Sequence, residues 1–118
     1  MKSLQEIILE KLKIKKSNKS SYDYKYFPET KKELKDILKQ LIEERGNEGD
    51  FNDIDTSQIT DMSKLFYNMK EFNGDISRWD VSNVTDMHWL FHNCKSFNKP
   101  LNDWNVSYVS NMNSMFDN

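Results

Sequence analysis

The second half of the chain contains one motif three times, at a constant spacing of 25 residues. The copies begin at Ile54, Trp79 and Trp104, and they have the sequences IDTSQITDM, WDVSNVTDM and WNVSYVSNM. A phenylalanine follows each copy at the same offset: Phe66, Phe91 and Phe116. A period of about 20–50 residues is typical of chains in which each unit buries its apolar side against its neighbours. The repeat therefore predicts a solenoid, a fold that offers a repeated surface rather than a deep pocket.

The predicted fold class is an α/β solenoid of three leucine-rich-type strand-turn-helix repeats with an N-terminal helical cap. The three repeats span 51–75, 76–100 and 101–118. Each opens with a short extended piece, over 51–54, 76–79 and 101–104. A serine then marks a turn before a helix, which carries the apolar residues within 59–66, 84–91 and 109–116. The helix is predicted because apolar residues follow one another at i, i+3, i+6 and i+7, as in Ile59, Met62, Leu65 and Phe66.

Residues 1–50 are predicted to form the helical cap region. Helices are expected over about 4–16 and 31–45, and a short strand over 22–27, where tyrosines alternate with charged residues. The second helix has the stronger pattern, since Thr30 and Glu33 form a capping box and Gly46 stands where a helix commonly ends. Its apolar stripe directly precedes the first repeat, so we expect it to shield that repeat from water.

Composition places the chain among small globular domains and excludes several classes. Its 118 residues suit one domain, and its net charge of −2 predicts no special partner. One cysteine excludes an intramolecular disulfide. The apolar run at residues 7–9 is too short for a secretory signal, and no apolar run is long enough to span a membrane. We therefore expect a cytoplasmic protein with no membrane partner.

The repeated motif resembles that of the BspA-like leucine-rich-repeat family. The resemblance lies in the string W-D-V-S-N-V-T-D-M, followed by L-F or M-F and then F-N, and it covers roughly residues 51–118. The motif departs from the commoner leucine-rich pattern L-x-x-L-x-L-x-x-N. The resemblance implies a right-handed solenoid used for protein binding, and it implies no catalysis and no cofactor.

Comparing the three copies separates core positions from surface positions. A column that is apolar in all copies belongs to the core, whereas a column whose chemistry varies is expected to face solvent. The candidate partner-binding residues on the helix side are Tyr67, Trp89, His92 and Tyr108. Those on the strand side are Asp53, Arg78 and Asp103. Those on an open end of the third repeat are Trp104, Val109, Met112 and Met115.

A metal or catalytic site is not predicted. His88 and His92 have a spacing that can hold zinc, with Cys94 nearby, but Cys94 aligns with Met69 and is expected to be buried. The recurring aspartates at 55, 61, 80 and 86 become asparagine at 105 and 111, which argues against an ion site in every repeat. No phosphate-binding loop or nucleophile elbow is present in the sequence.

Three functions remain open from sequence. The favoured one is a non-catalytic protein–protein interaction module that acts by surface occupancy, with homodimerisation through the third repeat as one form of partner. The first alternative is a small inhibitor or effector that blocks a larger macromolecular complex, such as a nuclease or a defence machine. The second is a nucleic-acid-binding accessory protein that uses the lysine run Lys11–Lys19. Nucleic-acid binding is less favoured, because residues 51–118 carry 5 basic and 9 acidic side chains, a net charge of −4.

Overall fold

One α-helix, α1, spans Lys31–Arg45 in a computed structural model that describes residues 23–117. The helix begins after Thr30, whose hydroxyl oxygen accepts a hydrogen bond from the Glu33 N–H at 3.1 Å. The Glu33 carboxylate accepts one in return from the Thr30 N–H at 3.2 Å. Gly46, with a φ of 83°, ends the helix. The predicted helix over 4–16 and the lysine run Lys11–Lys19 lie outside the described residues.

One continuous apolar core joins α1 to the repeated half of the chain. Leu34, Leu38 and Leu41 form the buried face of α1, and they belong to the same core cluster as Phe66 and Trp104. The Tyr26 backbone pairs with Ile54 through a parallel bridge, which ties the segment before α1 to the first copy of the motif. The core therefore runs without interruption across residue 50, the predicted boundary between cap and repeats.

The predicted α/β solenoid of strand-turn-helix repeats is wrong. Residues 51–117 contain no helix, and backbone pairing within 23–117 consists of isolated parallel bridges instead of strands in a sheet. The segments 59–66, 84–91 and 109–116, each predicted to be a helix, are successions of turns. The pieces predicted to be strands at 51–54, 76–79 and 101–104 are turns or single bridge residues.

Left-handed backbone conformations explain why no helix forms in these segments. The φ angles of Lys64, Trp89 and Ser114 are 59°, 57° and 52°, and these residues occupy the same position in the three copies. Asn68 and Asn93 have φ angles of 61° and 59°. A right-handed helix requires negative φ at every residue, so each left-handed residue interrupts it.

The hydrogen-bond partners of the backbone N–H groups are the second reason why these segments form no helix. In the first copy, alternate N–H groups, those of Met62, Lys64, Phe66 and Asn68, donate to carbonyls of residues 86, 88, 90 and 92 at 2.9–3.1 Å. In the second copy, those of Met87, Trp89, Phe91 and Asn93 donate to carbonyls of residues 111, 113, 115 and 117 at 2.8–3.0 Å. We call residues 62–68, 87–93 and 112–117 the turn ladder. A helix would use these donors internally, whereas here they join one copy to the next.

Aspartate and asparagine side chains form the turns that begin the ladder segments. Asp61 accepts a hydrogen bond from the Ser63 N–H, and Asp86 accepts one from the His88 N–H, at 2.8 and 3.0 Å. Asn111 holds the Asn113 N–H in the same way. Such a turn needs only a side-chain oxygen two residues before the donor, which asparagine and aspartate both supply. The recurrence of Asp or Asn at this position is therefore a turn signal.

Aromatic side chains fill the interior between the copies. Phe66 stacks on Phe91 with ring centroids 5.6 Å apart, and Phe91 stacks on Phe116 at 5.2 Å. The indole N–H of Trp79 donates to the Phe51 carbonyl, and that of Trp104 donates to the Ile76 carbonyl, at 2.9 and 3.0 Å. Each buried tryptophan thus satisfies its polar atom on the preceding copy.

Candidate interaction surface

Three aromatic rings from two copies of the motif meet at the protein surface. The ring centroids of Tyr67 and His92 lie 5.1 Å apart, those of Trp89 and His92 5.1 Å, and those of Tyr67 and Trp89 5.6 Å. The Lys64 ammonium lies 5.0 Å from the Trp89 ring centroid, within the range of a cation–π contact. We call Tyr67, Trp89 and His92 the ring cluster.

The turn ladder positions the ring cluster. Tyr67 lies one residue before the left-handed Asn68, and the backbone of Trp89 is itself left-handed. Lys64 and Ser114 share this conformation at the equivalent positions of the other copies, so it belongs to the turn ladder. Tyr67 is 37% exposed, and Trp89 and His92 are half-buried. The expectation that Trp89 faces water is therefore met only in part, because the neighbouring rings cover one side of it.

The fourth residue predicted on this side lies apart from the ring cluster. Tyr108 is 69% exposed, and it makes no ring contact with Tyr67, Trp89 or His92 within residues 23–117. Within the ring cluster, the Nδ1 atom of His92 is buried and has no hydrogen-bond partner among residues 23–117, an uncommon condition in folded proteins. The structure thus brings together three of the four predicted residues.

The structure brings together two of the three predicted strand-side residues, Asp53 and Arg78. Asp53 receives two hydrogen bonds from the Arg45 guanidinium, both at 2.9 Å, and this contact holds the pKa of Asp53 below its usual value. Arg78 is exposed, and its backbone N–H donates to the Asn52 side chain. Asp53 and Arg78 line an open cleft that carries charges of both signs. Asp103 is exposed and does not line this cleft.

The residues predicted at the open end of the third copy differ in exposure. Trp104 is 8% exposed and belongs to the core. Val109 and Met115 are half-buried, while Met112 is 43% exposed. Sequence comparison missed Phe116, which is 56% exposed although its equivalents Phe66 and Phe91 are buried. The column pattern could not distinguish it, because all three columns carry phenylalanine, whereas only Phe66 and Phe91 have the phenylalanine of a following described copy stacked on them.

The residues considered for metal binding and catalysis have other partners. His88 Nδ1 lies 2.7 Å from the Asp86 carboxylate, whereas His92 belongs to the ring cluster. Cys94 is buried, and this burial raises the pKa of its thiol to about 11. Within residues 23–117, no three histidine, cysteine, aspartate or glutamate side chains are grouped so as to hold a metal ion. None of the helical structure described there is long and apolar enough to cross a membrane.

Comparison with known proteins gives a family for most of the chain. No curated protein and no solved structure matches it. A protein family described as "Mycoplasma protein of unknown function, DUF285" matches residues 32–118, which include most of α1 and all three copies of the motif. Since this match covers more than half of the sequence, the chain belongs to the DUF285 family of Mycoplasma proteins of unknown function.

Proposed function

We propose that the protein is a non-catalytic module that binds another protein through the ring cluster, Tyr67, Trp89 and His92. The observation that carries this proposal is the mutual stacking of three partly exposed rings on one surface. Tryptophan and tyrosine dominate the binding energy of many protein interfaces. Rings already held by one another lose little conformational freedom when a partner binds, so more of the contact energy appears as affinity.

The family match supports this proposal indirectly. Membership in DUF285 is consistent with the BspA-like relation indicated by the repeated motif, and that relation implies protein binding. We propose that the similarity to the BspA-like family is limited to the sequence motif. The copies fold as turns and not as the strand-helix units of a leucine-rich solenoid.

A comparison of partner capture by the wild type and Trp89→Ala tests the proposal. Proteins retained from native extract are identified by mass spectrometry, and the affinity of each purified candidate is then measured. Loss of the Trp89 ring is expected to weaken binding by at least about tenfold, as is typical of a hot-spot tryptophan. Trp89→Phe retains an aromatic ring and should recover part of the affinity.

Tyr108→Ala is the matched control, because it removes an exposed aromatic ring outside the ring cluster. Unchanged affinity in Trp89→Ala, with its fold intact by circular dichroism, would refute the proposal. The same variants are titrated with a single-stranded oligonucleotide, since stacked rings beside Lys64 also suit nucleic-acid bases. If an oligonucleotide binds, if this binding requires Trp89 and if its affinity falls steeply with salt, the partner is a nucleic acid and not a protein.

A further inference from the structure

Lys64 places a cation against the ring cluster. Its ammonium lies 5.0 Å from the Trp89 ring centroid and 6.0 Å from the Tyr67 ring centroid. Lys64 is exposed, and within residues 23–117 it pairs with no carboxylate. A cation above a ring face keeps the N–H groups that point away from the ring, so it can still donate to an anion on its other side.

The indole N–H of Trp89 is a second donor without an acceptor. The indole N–H groups of Trp79 and Trp104 donate to backbone carbonyls, whereas that of Trp89 has no hydrogen-bond partner within residues 23–117. Among the polar side-chain atoms of the buried and half-buried residues in this range, His92 Nδ1 alone is both buried and unpartnered. The Trp89 nitrogen is therefore accessible to solvent. An indole nitrogen donates only, so an incoming group has to supply the acceptor.

His92 supplies the third donor. In a neutral imidazole, one nitrogen carries the proton and the other accepts. A proton on the buried Nδ1 would be a donor shut away from any acceptor, so we place the proton on Nε2. The Nε2 atom is likewise accessible to solvent, and no group within residues 23–117 bonds to it. We call Lys64 Nζ, Trp89 Nε1 and His92 Nε2 the donor set.

The donor set lies on one patch, because the Trp89 ring is the common neighbour of the other two groups. The centroid of this ring is 5.0 Å from the Lys64 ammonium and 5.1 Å from the His92 centroid. A carboxylate has two oxygens with about four acceptor positions, so one such group can accept from all three donors. The adjacent ring faces suit apolar side chains. The patch therefore combines anion recognition with apolar contact.

The charge of the surrounding surface limits the number of carboxylates that an occupant can carry. Residues 51–118 have 5 basic and 9 acidic side chains, a net charge of −4. A field of this sign repels a long polyanion such as a nucleic acid. The aspartates three residues before two members of the donor set already have partners, since Asp61 pairs with Lys31 and Asp86 with His88. A short segment with few carboxylates suits this surface.

We propose that the ring cluster recognises a partner segment in which a carboxylate lies between apolar side chains. Lys64, Trp89 and His92 donate to the carboxylate, and the ring faces contact its apolar neighbours. The inference rests on the proposed function and deepens it, because it names the chemistry of the partner at the same site.

Titration with short capped peptides, followed by NMR, tests the inference. One peptide has a glutamate between two leucines, and its control has glutamine in place of the glutamate. The chain has three tryptophans, so the loss of one indole signal in Trp89→Phe assigns that signal. At millimolar concentration the glutamate peptide is expected to shift the Trp89 signal. It should bind at least about fivefold more tightly than the glutamine peptide, because hydrogen bonds to a charged acceptor are stronger. The bonded indoles of Trp79 and Trp104 should not respond.

Matched variants assign the preference for glutamate to the donor set. Lys64→Gln removes the cation and should lower this preference by at least about threefold. Lys70→Gln removes the charge of an exposed lysine of the same copy, outside the ring cluster, and should keep it. His92→Gln retains a side-chain donor and His92→Leu retains none, so the first should prefer the glutamate peptide more strongly. Both His92 variants lose the imidazole ring, so the comparison isolates the donor.

Equal affinity for the two peptides, or a Trp89 signal that the glutamate peptide does not shift, would overturn the inference. An oligonucleotide that shifts this signal through Lys64 when the glutamate peptide does not would also overturn it, because the recognised anion would then be a phosphate. These results leave the proposed function standing as long as partner capture depends on Trp89. Capture that does not depend on Trp89 removes the proposed function whatever the peptides do.

Discussion

Single residues in the left-handed conformation determine the backbone path of the repeated half. Lys64, Trp89 and Ser114 hold this conformation at equivalent positions, although none of these residue types favours it. Asn68 and Asn93 are more typical occupants. The sequence did not reveal these positions because the residue type varies from copy to copy. Helical spacing of the apolar residues then favoured a helix, which the φ angles exclude.

Ser114→Gly is expected to stabilise the protein by about 1 kcal/mol, because glycine adopts a φ of 52° without the steric cost of a side chain. Urea denaturation measures the free energy of unfolding. Asn113→Gly is the control, since the neighbouring residue has no left-handed backbone and glycine there should destabilise slightly. Equal effects of the two substitutions would contradict the assignment of strain to position 114.

At the scale of elements, the sequence predicted α1 well and the elements of the repeats badly. The capping box, the stripe of Leu34, Leu38 and Leu41, and Gly46 all appear in the structure as their patterns indicate. These signals are local, so sequence suffices for them. The turn ladder depends on hydrogen bonds between residues about 25 positions apart, which no local pattern specifies. Column comparison grouped Tyr67, Trp89 and His92, but it could not show that Tyr108 lies apart from them.

Thr30→Ala should destabilise the protein by about 1 kcal/mol, because it removes the hydroxyl that accepts the Glu33 N–H at the start of α1. Thr30→Ser retains the hydroxyl and should remain close to wild type. The midpoint of urea denaturation distinguishes the two variants. Since α1 contributes three buried leucines to the shared core, loss of the cap should lower the stability of the whole domain and not only that of the helix.

At the scale of the whole molecule, charged side chains reinforce the contacts between α1 and the repeated half. Arg45 joins the end of α1 to Asp53 through two hydrogen bonds, and Lys31 joins its beginning to Asp61. The Arg45 contact lowers the pKa of Asp53. Hydrogen bonds from Ser77 likewise lower the pKa of Asp75, and the His88 N–H lowers that of Asp86. These carboxylates therefore bind fewer protons in the folded protein than in the unfolded chain.

Stability should accordingly decrease in acid. A lowered folded pKa contributes stability that is present above the unfolded value, about 3.9 for aspartate, and is lost as the pH falls through the folded pKa. Denaturation from pH 7 to pH 2 is expected to show this loss below about pH 4. Asp53→Asn should cost about 1–2 kcal/mol at pH 7 and should make the acid-induced decrease shallower. A pH profile of Asp53→Asn parallel to that of the wild type would contradict this role of the Arg45 contact.

The burial of Cys94 has a practical consequence for labelling the molecule. Its thiol donates to the Phe66 carbonyl, and its raised pKa leaves almost no thiolate, the species that reacts with maleimides and iodoacetamides at neutral pH. A cysteine introduced on an exposed side chain would therefore react selectively while Cys94 remains in place. Fluorescent or spin probes can then be attached near the ring cluster without altering the core.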